Sequence, residues 1–395
     1  MAETPRIALV SSLVFGGSTT FVCNLSGELS RRQIPVLVAS PEIENPFASD
    51  FEAAGVRVVL HNQRRMIFED RMQSMLRTLA DFRPTVVITC LGAATYEVLR
   101  YVPQGVHRMV VVQTDAPCFY DAISPYAGCM DAAVGVSPRI AEHFAGMEAL
   151  RGISQLCLPY GVAMPPTAEK QRQNGQPLRI LYFGRIIDPQ KRVYLFPKIL
   201  ADLKKSGIRF QWTIAGQGDK QAELERTMPS SPDQRVKFIG AVVNSQVPAL
   251  LEQNDIFLLA SDAEGLPLSL LEAMAHGVVP VVSDLESGIR DVVDAGNGML
   301  VPVSDVQGYA KAIVHLHAHR EELVAKSTAA HSRVARDFSV AAMTDRWLAA
   351  LPTAPTASKP WPKHLQIHAP LAAKNKFRFS QPMRELRRLV VKFRG

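Results

Sequence analysis

The chain lacks the features that mark a secreted, disulfide-built or membrane-spanning protein. Its 395 residues hold five cysteines, Cys23, Cys90, Cys118, Cys129 and Cys157, scattered and with no C-x-x-C pair. An odd, dispersed set predicts reduced thiols and excludes a zinc ribbon or a disulfide framework. No apolar run reaches the roughly 20 residues that a membrane-spanning helix needs. The opening "MAETPRIALVSSLVF" places an acid, and no basic region, ahead of its apolar run. A secretory signal is therefore not expected, and a cytoplasmic location is. Two phosphate-binding signatures are missing as well. The loop "FGGSTT" after the first apolar run has neither the G-x-G-x-x-G spacing nor a G-K-[ST] ending.

Negative charge is scarce in one region above all. Residues 351–395 hold ten Lys or Arg and a single acid, Glu385, a local charge of +9 within a total of +7. The first 350 residues are thus close to neutral, at −2. A nucleic-acid-binding body is excluded, because its basic footprint belongs on the folded domain. The segment "PMRELRRLVVKFRG" has two readings, a short basic helix with Met383, Leu386, Leu389 and Val390 on one side that can lie on an anionic membrane surface, and a disordered, solubilising end.

What is present is a cycle of short apolar runs and helical segments, repeated twice. "RIALVSS", "IPVLVAS", "VRVVL", "TVVITCLG" and "RMVVVQTD" alternate with helices expected near 21–31 and 65–80. Continuous apolar runs alternating with helices predict a buried parallel sheet covered on both faces. The proline-bracketed "AMPPTAEKQRQNGQP" then interrupts the pattern, which restarts at "LRILYFGR". The expected division is an N-terminal domain over 1–162, a linker over 163–177 and a second domain over 178–335. A helical segment over 336–352 follows, and a basic, proline-containing tail fills 353–395. The fold class is α/β, with two Rossmann-like parallel-sheet domains facing a central cleft.

The chemistry gathers in the second half. In "YFGRIIDPQKR", Gly184 ends a strand, Arg185 follows at once, and Lys191 stands near the next helix, expected over 191–205. Two cations at the mouth of a sheet can grip a diphosphate and neutralise charge on it as a bond breaks. In "DAEGLPLSLLEAMAHG", Glu264 sits in a turn and Glu272 inside an apolar helix that Pro267 is expected to open. The amides around Gly265, Leu266 and Leu268 form an anion site at that helix's N-terminus. A carboxylate buried at Glu272 needs a partner. A ribose, with two adjacent hydroxyls, would supply one; a distant arginine in a buried ion pair is the structural alternative. No D-x-D segment stands near these residues, and no metal ligand set is predicted.

These segments resemble the E-x7-E region of retaining glycosyltransferases of the GT-B type, family 4 (glycosyl transferases group 1). The resemblance runs from "LYFGRIIDPQK" through "TIAGQGDK", "VKFIGAV" and "LLASDAEGLPLSLLEAMAHGVVPVVSD" to "SGIRDVV", about 178–300. It is weaker over "GGSTTFVCNLSGELSRRQIPV". It implies a metal-independent, retaining hexosyltransferase with no cofactor, which moves a sugar from a nucleoside-diphosphate donor to a hydroxyl. Arg185 and Lys191 would hold the diphosphate, Glu272 the ribose, and Glu264 the transferred sugar. Gly216 and Gly218 would line the nucleotide side, Ala241 and Val242 the base, and Gly16 and Gly17 the phosphates and acceptor. Many relatives carry a histidine after the strand equivalent to "MVVVQTD"; this chain has Gln113, Thr114 and Asp115. Asp115 is the candidate for the donor sugar or acceptor. The acceptor would be a glycan, a lipid-linked or a small hydroxyl compound, used in polysaccharide or glycoconjugate synthesis. Two other functions suit the same scaffold: a nucleotide-sugar hydrolase or epimerase, and a non-catalytic nucleotide-sugar-binding subunit.

Overall fold

The computed structural model describes residues 4–14, 16–62, 66–165, 175–229 and 235–352, with Trp361, Ile367, Pro370, Leu371, Met383, Glu385 and Arg387. The middle of the expected linker, 166–174, and most of the tail lie outside the described residues. The chain forms two compact units, divided between Pro159 and Tyr160 and again between Met343 and Thr344. The second division returns the C-terminal segment to the first unit.

In the first unit seven strands run parallel: β1 (Ile7–Ser11), β2 (Val36–Ser40), β3 (Val58–Leu60), β4 (Val86–Cys90), β5 (His107–Val112), β6 (Ala132–Gly135) and β7 (Ser154–Cys157). Their order is β3-β2-β1-β4-β5-β6-β7. β1 and β4 are buried along their whole length, which is why "IALVS" and "VVITC" lack polar–apolar alternation. Order reverses between β1 and β4, paired from Ile7↔Val86 to Ser11↔Cys90. Chain leaving those two strand ends turns to opposite sides, and that divergence opens a crevice.

The second unit repeats the design with β8 (Leu178–Phe183), β9 (Phe210–Ala215), β10 (Val236–Gly240), β11 (Ile256–Leu259), β12 (Val279–Ser283) and β13 (Met299–Val301). The order β10-β9-β8-β11-β12-β13 places the reversal between β8 and β11. Trp212, Tyr182 and Phe196 fill the core beside it; the Phe196 ring lies 4.9 Å from Tyr182 and 5.2 Å from Trp212.

Several helices start elsewhere than expected. The first begins at Gly17, not near residue 21, and runs to Arg31. The 65–80 segment is helical over Phe68–Phe82. The helix expected from 191 starts at Phe196 and ends at Lys205, after a 3-10 turn at Val193–Leu195, because Arg192 takes positive φ (46°). Pro267 precedes the Leu268–Ala275 helix as its cap instead of opening it. The Val340–Ala349 helix carries Trp347, whose ring lies 5.9 Å from that of Phe21 in the first unit. Asp345 on the same helix pairs with Arg32 at 2.5 Å.

Candidate donor site

The carboxyl ends of β8 and β11 hold the residues singled out in the second domain. Strand β8 runs into Gly184 and Arg185. Arg185 is exposed and donates to Gln190 Oε1 at 2.8 Å, and Gln190 Nε2 donates to the Ala263 carbonyl at 3.1 Å. The Asp262 amide donates back to the Gln190 carbonyl at 2.8 Å. Thus the loop after β8 is stitched to the loop after β11 across some 70 residues of sequence. Arg192 adds a bond from Nη2 to Asp262 Oδ1 at 2.5 Å. Neither Gln190, Arg192 nor Asp262 was marked by the sequence, since no local pattern distinguishes them.

Lys191 and Glu264 form a buried ion pair within that junction. Nζ stands 2.6 Å from Oε1, with Lys191 8% and Glu264 7% exposed. Two opposite charges taken out of water hold each other firmly, and removing either leaves the other uncompensated. The Glu264 charge also reaches Tyr182. Burial first, and that carboxylate second, push the Tyr182 phenol far above its ordinary range, while its hydroxyl donates to the Arg185 carbonyl.

Glycines let the loops approach. A Cβ on Gly216 would lie 1.8 Å from the Gly184 oxygen, and one on Gly218 would lie 2.0 Å from the Ile186 oxygen. Gly216 also takes φ of +141°, which disfavours any side chain. The Gly184 amide donates to Ala215 O at 3.0 Å, Ile186 to Gln217 O at 2.8 Å, and Gly216 to Gly240 O at 2.7 Å. The ends of β8, β9 and β10 are therefore one backbone-bonded ledge. Ala241 (exposed) and Val242 (half-buried) continue from it past β10.

The Leu268–Ala275 helix starts beside Glu264. Leu266 and Leu268 bury their side chains, so what they offer a ligand is backbone. Among the described residues the N–H groups of Gly265 and Leu266, just ahead of the helix, and of Leu268, its first residue, donate to no protein acceptor. The Gly265 carbonyl is fixed by the Gly288 amide at 2.7 Å, a contact that a side chain at Gly288 would block.

Glu272 stands in the middle of this helix, half-buried. Its carboxylate makes no hydrogen bond or ion pair among the described residues, so the buried-arginine alternative finds no support in the structure. Desolvation raises its pKa from 4.5 to about 7. The Glu272 carbonyl is engaged by His276 Nδ1 at 2.9 Å, which gives that histidine a role at the helix end.

In the first domain, Gly16 and Gly17 stand at the start of the Gly17–Arg31 helix, just beyond β1 at the β1/β4 reversal. Gly16 has φ of +138° with open space around it. Thr19 Oγ1 donates to the Val14 carbonyl at 2.6 Å and shapes that loop. Asp115 follows β5. It accepts from the Tyr120 hydroxyl at 2.6 Å and lies 3.6 Å from Arg139 Nε. Tyr120 stacks on His143 with ring centroids 3.8 Å apart. Neither Tyr120 nor Arg139 was marked by the sequence. The Gln113 side chain, two residues before Asp115, is buried with both amide atoms unpartnered among the described residues. No group of three or more His, Cys, Asp or Glu suited to a metal ion occurs among the described residues.

Residues 177–319 match the profile of the family described as "Glycosyl transferases group 1". The amylovoran biosynthesis glycosyltransferase AmsK of Erwinia amylovora is 34% identical over 172 residues, 42% of each chain. The putative colanic acid biosynthesis glycosyltransferase WcaL of Salmonella typhimurium is 33% identical over 186 residues, 45% of each. These matches span less than half the length of the curated relatives. Among solved structures, Anabaena HepE in complex with UDP-glucose superposes with a TM-score of 0.70 at 16% identity, covering 88% of this chain and 100% of HepE. The lipopolysaccharide outer core galactosyltransferase WaaB gives 0.65 at 20% identity, covering 87% and 98%. The fold is GT-B, two Rossmann-like parallel-sheet domains.

Proposed function

We propose that this chain, a member of the glycosyl transferases group 1 family through its second domain, transfers a sugar from a nucleoside-diphosphate donor to a hydroxyl acceptor. The observation that carries the proposal is Glu272, a desolvated carboxylate without a protein partner among the described residues, in the helix beside whose start the Gly265, Leu266 and Leu268 amides donate to no protein acceptor. Two vicinal ribose hydroxyls satisfy such a group, and a diphosphate satisfies the amides.

Arg185 and Lys191 add positive charge where the leaving diphosphate gains negative charge. Together with the helix amides they supply the neutralisation that a divalent ion supplies elsewhere, hence a metal-independent reaction. Lys191 exchanges part of its bond to Glu264 for a phosphate oxygen, and Glu264 turns an acceptor oxygen toward the sugar. The hydroxyl oxygen of the acceptor substrate bonds to the anomeric carbon as the bond from that carbon to the diphosphate oxygen breaks, on the same face of the sugar. Its proton passes to the departing phosphate oxygen, and configuration is retained. Asp115 contacts sugar or acceptor from the first domain. Relatives named for amylovoran and colanic acid synthesis favour a polysaccharide or glycoconjugate product. The positive charge after residue 351 brings the protein to an anionic membrane surface.

A panel of nucleotide sugars, assayed for free nucleotide with and without envelope glycolipid, tests the reading. Acceptor-dependent release, with the donor's anomeric configuration in the product by NMR, is expected. Release at the same rate with water alone would make the protein a hydrolase. No binding of any donor would remove the proposal.

A further inference from the structure

The C-terminal segment carries a net charge of +9, with ten of the chain's 44 Lys and Arg, yet two of its described residues are bound to acids inside the first domain. Glu69, in the first turn of the Phe68–Phe82 helix, is 1% exposed. Its Oε1 accepts from Arg387 Nη2, and its Oε2 is buried with no partner among the described residues. Glu97, in the neighbouring Ala93–Val98 helix, is fully buried. Its Oε2 accepts from the Leu371 amide at 2.9 Å, and its Oε1 faces Arg100 at 3.3 Å. Met383, Glu385 and Arg387 are helical. Met383 and Arg387, one turn apart, are half-buried, and Glu385 is exposed.

We propose that the face formed by the Phe68–Phe82 and Ala93–Val98 helices is a docking surface for the chain's own C-terminal segment, latched by Arg387 on Glu69. The choice between protein and lipid follows from the relative costs. Withdrawing Arg387 leaves a buried carboxylate uncompensated. That penalty is several times what one cation gains beside an anionic lipid surface. Arg387 therefore stays with the protein, and a membrane meets the segment only through its other cations. Glu97 fixes the near end of the same segment through backbone, so the latch has two points and only one needs an arginine. The inference stands apart from the transferase reading, because it involves none of the donor-site residues.

Hydrogen exchange on the full-length, ligand-free chain tests it, through peptides spanning 381–391 and 68–82. The wild-type C-terminal peptide is expected to be protected without lipid. In Arg387→Ala and in Glu69→Gln it should exchange at least about tenfold faster, the worth of a charged hydrogen bond. Combining the two substitutions should add little. Vesicles of phosphatidylglycerol should leave the protection of residues 68–82 in the wild type unchanged. Equal exchange in wild type and Arg387→Ala overturns the latch. So does a C-terminal peptide that becomes protected only when vesicles are added. Arg387→Ala lies at the surface end of the pair and keeps the test valid should Glu69→Gln fail to fold.

Discussion

Gly16 and Gly216 take nearly the same φ, +138° and +141°, Gly16 beyond β1 at the reversal of the first sheet and Gly216 beyond β9, one strand out from the reversal of the second. Around Gly16 no atom lies within 4 Å of where a Cβ would stand, whereas at Gly216 the Gly184 oxygen would be 1.8 Å away. The contrast extends through both sites. In the second domain three strand ends are bonded into a ledge, the ion pair is buried, and the Glu272 carboxylate and the Gly265, Leu266 and Leu268 amides have no partner among the described residues. In the first, the glycine loop is exposed, and Asp115 already has Tyr120 and Arg139 for partners. A ligand part common to many donors, diphosphate and ribose, suits fixed and unsatisfied groups. An acceptor that differs from enzyme to enzyme suits a loop with room around it.

The largest effect should come from placing a methyl group on each of those glycines. Gly216→Ala must move the backbone of the loop after β8 in addition to bearing the strain of positive φ. A loss of at least about 4 kcal/mol is expected, against about 1–3 kcal/mol for Gly16→Ala, where strain acts alone. Urea denaturation of the two variants side by side measures the difference. Equal losses would mean that the ledge yields easily, and the proposed rigidity of the donor side would go with it.

Next in size is Lys191→Ala. It strands Glu264 in a buried position, and about 3–5 kcal/mol of stability should disappear. Turnover should fall on the order of a hundredfold or more as the diphosphate loses its cation. Adding Glu264→Gln should restore most of the stability and none of the rate. If the double variant melts no higher than Lys191→Ala, the pair is not the buried couple that the geometry describes.

Glu272 sharpens the comparison through pH. Its folded pKa of about 7 lies above the ordinary 4.5, so the folded state holds the proton more tightly than the unfolded state does. Below pH 4.5 the residue costs nothing. Stability is lost as pH rises from 4.5 through 7, and the loss levels off above, at roughly 3 kcal/mol for a shift of this size. Glu272→Gln should therefore match the wild type near pH 4 and exceed it in stability near pH 8. The same substitution should weaken donor binding about tenfold or more, by removing an acceptor for ribose. A pH-independent difference in melting would show that the carboxylate is not desolvated. Stability gained together with affinity lost is the mark of a group kept for a ligand and not for the fold.

The parallel sheets were legible because buried strands such as "IALVS" and "FLL" are apolar on both faces. Part of the backbone ledge was legible because Gly184 and Gly216 directly follow strands β8 and β9. Helix starts were less so. Gly17 and Ser18 are poor helix formers, and the tie between Thr19 and Val14 that shapes the turn before them is not visible in local propensity. The Gln190, Arg192 and Asp262 network could not be seen. It joins residues about 70 positions apart, through two strands that become neighbours only in the folded sheet. Arg387 was assigned by charge alone to a membrane surface, and its carboxylate partner lies 318 residues earlier. Charge at the sequence level says nothing of which acid a cation will meet.

The smallest expected effect lies on the first domain, at Tyr120. Its hydroxyl bond to Asp115 is short, and burial together with that carboxylate holds the phenol well above its ordinary pKa. Tyr120→Phe keeps the ring on His143 and removes only the donor, so stability should fall by about 1 kcal/mol. Arg139 stays near the carboxylate, which remains charged but less firmly aimed. If Asp115 contacts the acceptor, Tyr120→Phe should raise the acceptor KM several-fold while the donor affinity stays put. Arg139→Gln should act in the same direction. A change confined to the donor would move Asp115 to the sugar already bound, and the first domain would then share in the fixed recognition assigned above to the second. An unchanged KM for both substrates would leave Asp115 with a structural role alone, as the turn that joins β5 to the Pro117–Ile123 helix.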